Sequence, residues 1–165
     1  METDINKLIE IGKNLEKEYE DKIVRTLKDM KDCYSDQEEV NEILKHYNPL
    51  IYEVFIKKTP NIDYGLNIMK PGVIGKEYYM TKGHVHKKPS AESYLLLEGK
   101  GKIVIQNKEE AKVIDLIKNE EVIVPEGYAH RLVNVGDKPL KVLTIYEPDA
   151  GHDYSITVTK RVFKE

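Results

Sequence analysis

His84 and His86 stand two residues apart, so on an extended chain both imidazoles point to one face. Glu92 follows after Lys87-Lys88-Pro89-Ser90-Ala91, enough chain to turn and return, and on the next strand Glu92 and Tyr94 share a face. Further on, Pro125-Glu126-Gly127-Tyr128-Ala129-His130 reads as a Pro/Gly turn that delivers a third histidine, with Asn134 four residues later. Three imidazoles and one carboxylate can converge inside a β-structure. Such donors suit zinc, manganese, iron or nickel, with bonds of roughly 2.0–2.2 Å, and four protein ligands leave open positions on a six-coordinate ion. A His-x-His pair alone is commonly a surface pair; the full set is what points to a divalent transition metal.

Elements of the right kind surround these residues. After Pro49 the chain becomes β-branched and aromatic in short runs, at residues 50–57, 64–69, 77–81, 92–97, 102–106, 111–117, 121–124, 131–135, 140–146 and 155–162. Turn residues link them, as in Glu98-Gly99-Lys100-Gly101 and Asn134-Val135-Gly136-Asp137-Lys138-Pro139, which favours antiparallel hairpins. No helix-length segment lies between strands, so parallel βαβ units are excluded. An all-β-dominated antiparallel barrel or jelly roll is expected, with short N-terminal helices packed outside it.

Before Pro49 the texture is helical. Ile5, Leu8, Ile9, Gly12, Leu15 and Tyr19 recur at mostly three- and four-residue steps, which predicts an amphipathic helix within residues 4–20. Val24, Leu27 and Met30 at three-residue steps suggest a second helix, or a turn with irregular chain, over 21–30. Ser35-Asp36-Gln37-Glu38 has the pattern of a capping box, Asn48-Pro49 supplies a stop, and a helix is expected over 36–46. The expected organisation is a helical extension, 1–48, packed on a β-domain, 49–165, as one structural unit.

Composition narrows the function classes. The 165 residues carry 26 Lys+Arg against 29 Asp+Glu, with 40% hydrophobic residues, so neither a basic nucleic-acid binder nor a membrane span is indicated. No apolar stretch of a secretory signal follows Met1, and the single cysteine, Cys33, has no internal partner, which predicts a cytosolic protein without disulfide chemistry.

Gly83-His84-Val85-His86 with Glu92 and Gly99, then Pro125-x-Gly127-x-x-His130 with Asn134, resemble the two metal-binding motifs of the cupin superfamily. More narrowly, Thr81-Lys82-Gly83-His84-x-His86, Ala91-Glu92-x-Tyr94, Tyr128-Ala129-His130-Arg131 and Asp149-Ala150-Gly151-His152-Asp153-Tyr154 resemble the cupin-type glucose-6-phosphate isomerases best known from archaea. Pro49-Leu50-Ile51-Tyr52-Glu53-Val54 extends the likeness towards the N-terminus. The resemblance implies aldose–ketose isomerisation of glucose 6-phosphate and fructose 6-phosphate in a homodimer. It implies one metal per chain, iron first and manganese, nickel or zinc as alternatives, held by His84, His86, Glu92 and His130. Sugar-phosphate contacts would map to Tyr52, Thr81, Gly83, Tyr94, His152 and Tyr154.

Three departures accompany the match. The loop between His86 and Glu92 is one residue shorter than the family form, a threonine that contacts phosphate falls on Asn67, and the glycine that often stands six residues before the Pro of the second motif is Asn119. The expected chemistry is proton transfer through an enediol with Glu92 as base and His152 assisting at oxygen, a hydride shift being the rival. Another sugar or sugar-phosphate isomerase or epimerase, a metal-dependent dioxygenase and a non-catalytic sugar-binding barrel remain open at this level, because one fold hosts many functions.

Overall fold

The computed structural model describes residues 4–165. Helix α1 (Ile5–Asn14) begins at Asp4, whose carboxylate accepts the Lys7 N–H at 3.3 Å. It ends earlier than its periodicity predicts. Beyond it the chain must turn back, because the Glu20 N–H already donates to Ile56 O at 2.8 Å and commits the next residues to a sheet.

That sheet holds the main correction to the sequence reading. Residues 21–26 are neither helix nor irregular chain: Asp21–Thr26 forms strand β1, paired antiparallel with β2 (Leu50–Lys58). Ile23, Val24 and Thr26 favour an extended backbone, and the open edge of β2 supplies the hydrogen bonds. Leu27 and Met30 belong to a single turn, α2 (Leu27–Met30), capped where the Thr26 N–H and hydroxyl both meet Asp29 Oδ2, at 2.8 and 3.0 Å. A 3-10 turn (Lys31–Cys33) then leads to α3 (Gln37–Leu44). Its cap is Asp36, which accepts the Glu39 N–H at 3.0 Å, and not the expected Ser35, whose hydroxyl is taken by the buried Glu77 at 3.2 Å.

The remaining strands are β3 (Asp63–Met69), β4 (Val73–Ile74), β5 (Glu77–Tyr78), β6 (Glu92–Glu98), β7 (Gly101–Gln106), β8 (Ala111–Asp115), β9 (Glu121–Val124), β10 (Ala129–Asn134) and β11 (Leu140–Tyr146). One sheet has the order β1-β2-β3-β11-β6-β9, a second β10-β7-β8, and β4 and β5 form a small ribbon. The strand pairs are antiparallel, as the hairpin turns predict. The run at 155–162 is not a strand. There the backbone is held mainly by side chains: Gln106 Oε1 accepts the Thr159 and Lys160 N–H groups at 2.9 and 3.2 Å, and Arg131 donates to Val158 O at 3.2 Å.

Alternation along the strands divides the core into two layers. On β6, Tyr94 and Leu96 face inward to meet Ile103 and Ile105 of β7 and Leu132 of β10. Leu95 and Leu97 face outward and join Phe55, Leu66 and Leu143 under Leu8 and Leu15 of the N-terminal segment. With both faces covered, β6 reads as a continuous apolar run. Helix α1 sits close to this outer face because residue 12 is glycine; a Cβ there would lie 2.5 Å from Leu97 Cδ1. The helix thus closes one face of the large sheet and leaves the other to the inner core and the site.

Candidate metal and substrate site

Two histidine segments are brought together by local backbone pairing. The His84 N–H donates to His130 O at 3.3 Å, and the His130 N–H returns to His84 O at 3.0 Å. Gly83 makes that approach possible, since its φ is +78° and a Cβ would fall 2.5 Å from Thr157 Oγ1. Glu92, the first residue of β6, enters the same space from the large sheet. Its carboxylate reaches His86 Nε2 at 3.2 Å, so the shortened loop still returns the chain far enough.

One ligand atom from each of His84, His86, Glu92 and His130 lies within 4.8 Å of all the others. The donor set fits a divalent cation. His86 Nδ1 faces Gly151 O and His130 Nδ1 faces Tyr128 O, each at 3.1 Å, which fixes each ring with a proton on Nδ1 and directs the Nε2 lone pair to the centre of the cluster. His84 Nε2 and His130 Nε2 are buried without a hydrogen-bond partner. Buried polar atoms without partners are costly, and a shared cation would satisfy both.

The electrostatics agree with a cation-binding pocket. Burial, reinforced by the neighbouring His130, pulls the His84 imidazole down to about 2, so it stays a neutral donor. Burial would raise the Glu92 carboxyl, but positive charge on the imidazoles beside it, His130 first and then His86, outweighs it and holds the group well below the usual carboxylate range; a cation held by these rings would act in the same sense. Burial and then the Glu92 charge push the Tyr94 hydroxyl far up; it donates to Glu92 Oε2 at 3.2 Å.

Beside the cluster opens a cavity whose empty space, with the open solvent at its mouth included, is about 580 Å³. It is lined by Tyr52, Thr81, Gly83, His84, Glu92, Tyr94, His152 and Tyr154, while His86 and His130 stand behind the lining in the cluster. The Tyr52 hydroxyl accepts the Lys82 N–H at 3.3 Å, and Thr81 Oγ1 accepts the Leu132 N–H at 2.9 Å, so each hydroxyl keeps its proton to donate. The His152 ring lies 4.0 Å from the His84 ring, centroid to centroid, and its Nδ1 meets the Tyr154 hydroxyl at 3.0 Å. Burial holds this imidazole below its ordinary value and favours the neutral form.

Two of the departures, Asn67 and Asn119, and the motif residue Asn134 have definite places. Asn67 lies in the cavity wall beside Thr144. Asn119 adopts φ +65°, the left-handed conformation for which glycine is otherwise the easiest residue. Asn134 is a turn clamp: its amide donates to Met69 O and Lys138 O, and its carbonyl accepts the Gly136 N–H.

Several members of the site escape sequence reasoning. Ile23 lines the cavity from β1, a strand the sequence did not announce, and Tyr146 lines it from the end of β11. Alternation from Val142 to Thr144 to Tyr146 places that side chain on the inner face and is the signal that could have found it. Arg131, 4% exposed, donates to Thr81 O at 2.9 Å and Lys82 O at 2.7 Å, fixing the loop that carries Gly83.

Comparison with known proteins agrees with this architecture. The solved oxalate decarboxylase of Lactobacillus farciminis in its formate complex superimposes with a TM-score of 0.53 at 22% identity, covering 65% of this chain and 31% of that one. The oxalate decarboxylase of Bacillus subtilis at pH 4.6 gives 0.51 at 23% identity over 59% of this chain and 26% of that one. These likenesses concern the fold, the cupin jelly roll. In sequence, the glucose-6-phosphate isomerase of Pyrococcus abyssi is 43% identical over 150 residues, 87% of this chain and 79% of that protein. That of Thermococcus litoralis is 39% identical over 150 residues, 87% of this chain and 78% of its own. A family model described as glucose-6-phosphate isomerase (GPI) matches residues 24–162, from β1 to the C-terminal tail, and the chain belongs to that family in its cupin form.

Proposed function

We propose that the protein is a metal-dependent aldose–ketose isomerase interconverting glucose 6-phosphate and fructose 6-phosphate. The observation that carries this reading is the placement of Glu92 in the cavity wall, with its contacts to His86, His130 and Tyr94 all on Oε2, so that Oε1 would be the oxygen to meet a sugar. His84, His86, His130 and Glu92 would hold one divalent metal, iron in our reading, with manganese, nickel and zinc compatible with the same donors. When bound, that ion supplies positive charge that orients sugar oxygens and stabilises negative charge developing on them.

The chain's own groups carry the protons. Glu92 Oε1 takes the proton from C2 of the open-chain aldose; the C2–H electron pair becomes the C1=C2 bond of an enediol and O1 gains a proton. The enediol then gives up its O2 proton while Glu92 returns its proton to C1, which yields the ketose. His152, neutral and beside the Tyr154 hydroxyl, can hold the proton exchanged between the oxygens. Tyr52, Thr81, the Gly83 N–H and Tyr154 donate to hydroxyls and phosphate, and Tyr94 fixes Glu92 Oε2 so that Oε1 keeps its aim.

We also read the protein as a cytosolic homodimer. The lone thiol of Cys33 supports the compartment, and β1 and β9, which end the large sheet, offer the edges that pairing would cover. The test of the function is conversion of fructose 6-phosphate to glucose 6-phosphate in D2O by protein stripped of metal and then reloaded. Metal-dependent turnover with deuterium entering at the transferred position is expected. Absence of turnover with every metal would overturn the isomerase reading; turnover without deuterium entry would replace the Glu92 proton transfer by a hydride shift.

A further inference from the structure

A hexose phosphate brings about two negative charges, and the cavity's own side chains meet them with little. Among the lining residues Lys82 is the single lysine or arginine, and Glu92 opposes it. Arg25 stands one position outside that lining. On β1 it shares a face with Ile23, which lines the cavity, while Val24 between them is 44% exposed on the other side. The register sets Ile23 opposite Val54 and Arg25 opposite Tyr52, and both partners on β2 line the cavity. The Arg25 and Tyr52 side chains are therefore cross-strand neighbours on the face that meets the cavity.

The guanidinium has no internal role that explains this position. Its Nε is closed off from solvent and has no hydrogen-bond partner, and it forms no ion pair with a carboxylate among the described residues. Asp29 is near, yet its contacts on Oδ2 go to the Thr26 N–H and hydroxyl. The Arg25 charge acts on the Tyr52 hydroxyl, against the effect of burial there. A half-buried arginine with a desolvated, unpaired donor is suited to a ligand that carries the missing acceptors. Phosphate oxygens match its planar fork of N–H groups.

We propose that Arg25, presented by the edge strand β1, binds the phosphoryl group of the substrate and sets the preference for phosphorylated over free sugars. This inference rests on the isomerase reading for its substrate, though not for the anion. The N-terminal segment then contributes to recognition through a side chain, in addition to the wall provided by Ile23. Phosphate would lie at the Tyr52, Thr81 and Gly83 end of the cavity, with the reacting carbons directed to Glu92.

The test compares wild type with Arg25→Ala, Arg25→Gln and Arg25→Lys, all loaded with metal and checked for circular dichroism and metal content. For Arg25→Ala and Arg25→Gln, KM for fructose 6-phosphate and the inhibition constant of inorganic phosphate should each rise about tenfold or more, with kcat changed by less than about threefold and partial recovery in Arg25→Lys. In wild type, titration with inorganic phosphate should shift the Arg25 Nε–H resonance, a reading that needs no variant to fold. Wild-type turnover with KM, inhibition constant and resonance all insensitive would overturn the role of Arg25 and leave the isomerase reading intact. Absence of wild-type turnover would remove that reading, and the phosphate titration would still decide: a shifted Nε–H supports the anion site, and an unmoved one overturns it.

Discussion

His130 Nε2 lies 2.6 Å from Glu92 Oε2, close enough for an ion pair but without the angle of a hydrogen bond, while the other ring nitrogen of His130 faces Tyr128 O at 3.1 Å. A lone pair and a carboxylate oxygen at that distance repel unless a positive charge lies between them. A divalent cation held by the cluster would supply that charge, and the carbonyl behind the ring keeps the proton on the far nitrogen.

Removal of one imidazole should therefore empty the cluster. We expect His84→Ala to lower bound metal from about one per chain to a small fraction, measured by elemental analysis, and to abolish turnover. Chelation of wild type should reduce the melting temperature by about 5–15 °C, the scale expected when a tightly bound ligand worth roughly 3 kcal/mol leaves a domain of this size. Reloading should restore both.

Glu92→Gln separates holding from proton transfer. The amide keeps an oxygen for the cluster but cannot accept the C2 proton, so kcat should fall by about 10²-fold or more while the three imidazoles retain most of the metal. Steady-state kinetics together with metal analysis on the same sample provide the check; loss of metal in parallel with activity would assign Glu92 to holding alone.

Burial raises several tyrosine hydroxyls, and the sign of the pH effect follows. Desolvation pushes Tyr52 up to about 12 against an ordinary 10, partly offset by the Lys82 N–H, and Tyr94 and Tyr146 move in the same direction. The folded state thus holds these protons more tightly than the unfolded chain does. Their contribution to stability is fully present below about pH 10 and is lost as pH rises towards 12. The melting temperature should decline over that window, and Tyr52→Phe should shallow the decline. Over pH 6–9 the Tyr52 hydroxyl remains a donor, so its loss in Tyr52→Phe should raise KM without adding a break to the pH profile.

Arg161 ties the C-terminal tail to the β-domain. Its Nη1 donates to Glu77 at 2.6 Å and to Cys33 O at 2.8 Å, and Glu77 is 1% exposed. Arg161→Ala would leave the Glu77 carboxylate with Ser35 as its remaining partner. We expect a loss of roughly 2–3 kcal/mol by urea denaturation, below the usual cost of about 3–5 for breaking a buried pair because Arg161 is itself 32% exposed. The same tail carries His152 and Tyr154, so KM should rise severalfold at temperatures where the variant is still folded.

Much of the site was legible because its signals are local. A two-residue spacing fixes His84 and His86 on one face whatever the chain packs against, and the Pro/Gly turn before His130 needs no distant partner to form. Strands β9 and β11 occupy the residues their alternation predicts, 121–124 and 140–146. The expected cap, Ser35, gives way to Asp36 because Glu77, distant in sequence, draws the Ser35 hydroxyl away. The three-residue steps of Val24, Leu27 and Met30 misled for a similar reason, since they span the end of β1 and the turn of α2.

By itself, then, the sequence determined the antiparallel β character, the inner and outer faces of its strands, and a His84, His86, Glu92 and His130 donor set, because periodicity and turn chemistry act within a few residues. That Asp21–Thr26 extends the large sheet, that 155–162 is tail and not strand, and that Ile23 lines the cavity were left to the tertiary structure. Those outcomes depend on which distant backbone has unpaired N–H and C=O groups to offer, and that is settled only when the strands assemble.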